Sequence, residues 1–98
     1  MDLNLILFEK LLRKIVLPQY QQIKEIESIV DFSWMGKKQY DVHFLLKDKL
    51  ECEDQMRVDT LVKNIFGQMA SNKNDKVRSF FKYRNGKYEF TCKYGYIH

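Results

Sequence analysis

Asp31, Asp41 and His43, with Ser33 beside them, come nearest to a hydrolytic site in this 98-residue chain. Two carboxylates and an imidazole on adjacent strands could hold a divalent ion that activates water. The pattern lacks a completing signature, because Lys37, Lys38 and Lys47 stand at the wrong offsets for a lysine partner. A surface Asp–His pair that stabilises the imidazolium accounts for the same residues. No metal ligand is therefore assigned, and metal-dependent hydrolysis is the remote reading. Cys52 and Cys92 are too few for a disulfide framework and are expected as free thiols. No histidine is spaced to activate either one, and Cys92 with His98 lacks the further ligands zinc needs. No glycine-rich phosphate loop and no kinase, nucleotide or hydrolase signature occurs. The chain reads as a non-enzyme with no cofactor.

The second chemistry-bearing group is cationic. Residues 73–98 hold seven lysines and arginines against two acids, while residues 1–72 hold ten against eleven. All the excess of the net +4 charge thus sits in the last quarter of the chain and points to an anionic partner there. Arg78, Lys82, Arg84, Lys87 and Lys93 alternate with apolar residues, and Phe80 falls among them. Cations around an aromatic suit the phosphates and bases of single-stranded nucleic acid. They also suit an acidic protein surface. An ordinary solvated sheet face would need charge as well, to discourage aggregation.

The elements that must position these residues are read from periodicity. Leu3, Leu7, Leu11 and Ile15, widened by Phe8, Leu12 and Val16, predict a helix over 2–16. Pro18 ends it. Tyr20, Ile23 and Ile26, three apart, suggest a helical turn or short second helix starting at Pro18. Alternation then predicts a hairpin of 28–35 with 39–47. A three-residue loop, Gly36 to Lys38, pairs Trp34 with Tyr40, Phe32 with Val42 and Val30 with Phe44 on a core face. Asp31 then faces His43, Ser33 faces Asp41, and Ile29 faces Leu45 on the other side.

Val58, Leu61, Val62, Ile65, Phe66 and Met69 predict a helix over 50–71, with Asp48 as N-cap and Glu51 completing a capping box. Residues 77–94 form the last hairpin. Asn85-Gly86 suits a type I′ turn, which needs positive φ at both central residues. A two-residue loop pairs Tyr83 with Tyr88, Phe81 with Phe90, Ser79 with Cys92 and Val77 with Tyr94 on the core face. The other face then opposes Arg84 to Lys87, Lys82 to Glu89, Phe80 to Thr91 and Arg78 to Lys93. Two of those pairs are like-charged, which is destabilising.

The fold expected is α+β in the order αββαββ, a single domain over 1–98 with a four-stranded antiparallel sheet and two helices packed on one face. No leader or membrane-spanning run is visible, so a reducing, cytoplasmic setting is expected. The chain reads as a small accessory protein, a binding or regulatory module. Its partner is another protein or a second copy of itself, with nucleic acid ranked close behind. A net charge of +4 is modest for a dedicated nucleic-acid binder, and no known nucleic-acid motif is present.

Overall fold

The computed structural model describes residues 3–32, 39–69, 76–84 and 89–97, with residues 3, 76–84, 96 and 97 described as backbone. The fold is mixed α+β, two helices and an antiparallel sheet. Helix α1 (Leu3–Leu11) runs into a π-helical turn, Leu12–Val16, and a 3₁₀ turn, Leu17–Gln19. Phe8, Leu12 and Val16, four apart, are all fully buried. A straight α-helix would rotate such a series off the core by about 40° at each step. The wider π turn, closed by the Leu17 N–H on the Leu12 carbonyl, brings Val16 back into line. The predicted stripe is therefore shifted by one residue: Leu11 and Ile15 flank the core, and Leu7 is 49% exposed.

At Pro18 only the helical turn forms, the 3₁₀ turn Leu17–Gln19, and no longer helix follows it. Strand β1 (Ile23–Asp31) starts instead, five residues before the predicted one. The spacing of three that imitates a helix comes from β-bulges. β1 pairs with β2 (Gln39–Leu46) with one register shift between Ile23 and Glu25 and another between Ile26 and Ser28. Each bulge inserts one residue into the strand, so in-facing positions fall three apart rather than two. Ile23 and Ile26 are buried and Ile29 is half-buried as a result.

The predicted first register is also corrected. Tyr40 lies opposite Asp31, Val42 opposite Ile29 and Phe44 opposite Ile26. Val30 and Phe32 consequently leave the core face and are 36% and 54% exposed. Ser33, Trp34 and the loop at 36–38 lie outside the described residues.

Helix α2 (Cys52–Gln68) buries Val58, Val62, Ile65 and Phe66, the i, i+4, i+7, i+8 face that periodicity predicts. Its N-cap is Glu51 rather than Asp48, with no side-chain cap bond. Asp48 accepts from the Lys49 N–H instead. Gln55 closes the entry by donating its side-chain amide to the Leu50 carbonyl at 2.6 Å.

Strand β4 (Glu89–Ile97) pairs antiparallel with β2, and the backbone of β3 (Lys76–Arg84) runs antiparallel along β4. The order across the sheet is β1-β2-β4-β3. Phe8 of α1 and Phe66 of α2 both meet Tyr40, at 5.3 and 5.4 Å between ring centres, so both helices lie over the same face of β2. Phe90, Cys92 and Tyr94 of β4 are fully buried on that face.

Tyr94 reaches through this core to α2, donating its hydroxyl to Asp59 Oδ1 at 2.8 Å. Burial, reinforced by Cys92 and Asp59, pushes the Tyr94 phenol far above its ordinary value. Burial does the same to the Cys92 thiol, beside Tyr94. Both groups are neutral when protonated, so the folded chain keeps protons that the unfolded chain releases above about 8.5 for Cys and about 10 for Tyr. Stability is full below those values and falls as pH rises through them. Urea unfolding from neutral pH to about pH 11 should show that fall, and Tyr94→Phe should make it shallower. An alkaline slope unchanged in Tyr94→Phe would contradict this account.

Candidate functional site on the outer sheet face

Among the described side chains, the apolar core draws on the inner positions of the sheet. Register sets the other face in rows across β1, β2, β4 and β3. One row reads Val30, Asp41, Lys93, Phe80; the next reads Ser28, His43, Thr91, Lys82; a third reads Glu25, Leu45, Glu89, Arg84. At the far end Phe32, whose N–H bonds the Gln39 carbonyl, leads to Gln39, Gly95 and Arg78.

Two pairs hold the middle of this face. Lys93 Nζ meets Asp41 Oδ2 at 3.1 Å. Asp41 is only 3% exposed, and its Oδ1 has no hydrogen-bond donor among the described residues. Lys93 supplies the opposite charge that offsets the burial of this carboxylate. In the neighbouring row, Thr91 Oγ1 lies 3.1 Å from His43 Nδ1. A hydroxyl beside an imidazole has the composition of a nucleophile and its base. Thr91 is 3% exposed, however, so no substrate carbonyl reaches it, and no group among the described contacts orients the other ring nitrogen. The pair holds β2 to β4.

The acidic trio is divided by register. Asp31 sits opposite Tyr40, on the inner phase of β1 at the sheet's end, while Asp41 and His43 are on the outer phase. Among the described residues no group of three acids, histidines or cysteines is placed to hold a metal ion.

The cationic set is altered too. The last hairpin is two positions out of the predicted register. Arg84 lies opposite Glu89, Lys82 opposite Thr91, Phe80 opposite Lys93 and Arg78 opposite Gly95. Four residues, not two, separate the paired ends, and this exchanges the predicted Arg84–Lys87 opposition for an opposite-charge one. The Arg78–Lys93 opposition is lost as well. The Asn85-Gly86 turn itself and Lys87 lie outside the described residues. Of the predicted binding cations, Lys93 is held by Asp41 and Arg84 faces Glu89, leaving Arg78 and Lys82 opposite neutral residues.

Sequence reasoning missed the Asp41–Lys93 and His43–Thr91 pairs, because both depend on β2 lying next to β4. It also missed the exposure of Val30 and Phe32, which follows from the bulges. Open clefts also lie elsewhere among the described residues. A polar one of about 610 Å³ is lined by Pro18, Gln19, Gln21, Gln22 and Asp48. A more apolar one of about 370 Å³ lies between Tyr20 and the Met56–Leu61 stretch of α2. Neither brings together a nucleophile and a base. Among the described residues no helix is long and apolar enough to cross a membrane. Compared with protein-family models, curated proteins and solved structures, the chain matches none of them.

Proposed function

We propose that this chain is a small, non-enzymatic binding module whose partner surface is the outer face of the sheet, and that the partner is a protein. The observation that carries this reading is the row holding the Asp41–Lys93 pair: exposed Val30 begins it, and exposed Phe32 stands just beyond. An apolar and aromatic patch beside an ion pair whose carboxylate is buried has the make-up of an interface centre, where area is apolar and charges are few and paired. With Lys76–Arg84 as the fourth strand, the unit is an αββαββ sheet with helices on one side and a partner on the other. The free thiols Cys52 and Cys92 suit a reducing, cytoplasmic setting.

Nucleic acid is the second reading, favoured by the four cations and no acids of β3. Its weakness is the engagement of Lys93 by Asp41 and the opposition of Arg84 to Glu89.

Two measurements separate them. Native co-purification from the source cells should recover protein with the wild type and lose it with Val30→Asp/Phe32→Asp, while Met56→Asp on the helical side retains it. Retention of every partner by the double variant would remove the outer face from consideration. Titration with short single-stranded and duplex oligonucleotides at low salt should give no binding. A tight complex that weakens steeply with salt would install the nucleic-acid reading in its place.

A further inference from the structure

The two edge strands of the sheet carry opposite charge. β1 (Ile23–Asp31) holds Lys24 against Glu25, Glu27 and Asp31, a net of −2, of which Glu25 stands in the outer-face rows. β3 (Lys76–Arg84) holds Lys76, Arg78, Lys82 and Arg84 against no acid, a net of +4. We propose that the partner on the outer sheet face is a second copy of this chain, stacked face to face about a twofold axis parallel to the strands. The inference rests on the outer face being the partner surface.

The geometry follows from strand order alone. With order β1-β2-β4-β3, a twofold axis along the strands lays β1 of one copy over β3 of the other, and β2 over β4. Each row then meets its own row reversed. Glu25 comes over Arg84 of the other copy, Ser28 over Lys82, Val30 over Phe80, and Asp41 over Lys93. Opposite charges meet at the rim and apolar positions meet in the Val30 row, twice each by symmetry. Glu25, Ser28 and Val30 are exposed and ready for that contact. A twofold axis across the strands would instead set β3 on β3, cation on cation.

The same charge asymmetry argues against the alternatives. A polyanion lying flat on this face would run from the basic β3 onto Glu25 of β1, where no cation stands in the outer-face rows. Head-to-tail pairing of β3 with the edge of a second β1 would match charges, but two bulges interrupt that edge's regular spacing of donors and acceptors. Four strands about 4.8 Å apart and about 25 Å long offer roughly 500 Å² of flat face per copy. The doubled figure, about 1,000 Å², is the lower end of a specific interface, so a dimer of modest, micromolar affinity is expected.

Sedimentation of the wild type at low salt, from micromolar to near-millimolar chain, tests this. The expected result is a shift from 11.9 kDa to twice that mass, with no larger species. Glu25→Lys and Arg84→Glu, each alone, should weaken the dimer about tenfold or more, because each sets like charges across both symmetric contacts. Mixed in equal amounts, the two variants should recover a dimer, since every contact in the hybrid again joins opposite charges. Thermal melts of each variant verify folding. If Arg84→Glu, which opposes Glu89 within the chain, fails to fold, Ser28→Lys sets cation over cation one row away and should weaken the dimer, and mixing it with Lys82→Glu should recover a dimer through the one contact that then joins opposite charges. A wild type that stays monomeric throughout, or a mixture no better than its components, overturns the proposal. Either result leaves the co-purification test of Val30 and Phe32 to decide the outer face separately.

Discussion

Replacing Phe66 with alanine is expected to remove about 3–5 kcal/mol of stability, the upper range for a buried aromatic. Its ring is the meeting point of the core. It stands 5.9 Å from Phe8, 5.4 Å from Tyr40 and 5.9 Å from Tyr94, two of them edge-on. Those residues belong to α1, β2 and β4, so one side chain joins both helices to the two central strands. Truncation therefore loses the transfer energy of the ring and several favourable aromatic contacts, and it leaves a cavity that three separate elements would have to close. Against a total of about 5–15 kcal/mol, the variant would be marginal. Urea unfolding should show a lower midpoint with an unchanged slope. A loss below about 1 kcal/mol would mean that the core collapses around the gap and is not held by this ring.

Lys93→Met is expected to produce the second largest loss, about 2–3 kcal/mol. The lysine itself is 39% exposed and would contribute little as a surface ion pair. The cost arises at Asp41, which is 3% exposed and already has one oxygen without a donor among the described residues. Without Lys93 the second oxygen also loses its partner, and a carboxylate is left buried beside Val30 and His43. The double variant Asp41→Leu/Lys93→Met should regain most of the loss, because removing both charges removes the desolvation penalty with them. A double-mutant cycle by urea unfolding measures the coupling. Additive effects from the two single changes would show that Asp41 and Lys93 do not act as a pair.

Where side chains answer to one neighbour, the sequence was readable. The α2 stripe of Val58, Val62, Ile65 and Phe66 and the alternation of Tyr40, Val42, Phe44 and Leu46 both reached the core as their periods require. Where two periods compete, it was not. The bulges in β1 convert an alternating code into Ile23, Ile26, Ile29, which is the spacing of a helical face. The π turn likewise keeps Val16 in line with Phe8 and Leu12, so the buried line follows what the sequence offered as the stripe's flank, and Leu11 and Ile15 fall to its margin.

The last hairpin failed for a different reason. Asn85-Gly86 argues for a two-residue loop from local conformation, and the register that is found instead opposes Arg84 to Glu89. A shift of two keeps each residue on its face, so Phe90, Cys92 and Tyr94 were assigned correctly while every cross-strand partner was not. The outer-face pairs lay beyond reach, because Asp41 and Lys93 are 52 positions apart in sequence and meet only once β2 and β4 are neighbours.

The two bulges of β1 also bear on how this chain can vary by inheritance. Lys24 and Glu27 are the residues that no position of β2 opposes. Loss of the codon for either one would leave Ile23, Ile26 and Ile29 against the same neighbours, with the strand merely straightened at that point. Loss of the codon for Ile29 would put everything beyond it on the wrong side of the sheet. The first strand thus carries two dispensable letters among nine, and shortening of the coding sequence should be tolerated at those two places before any other in the strand.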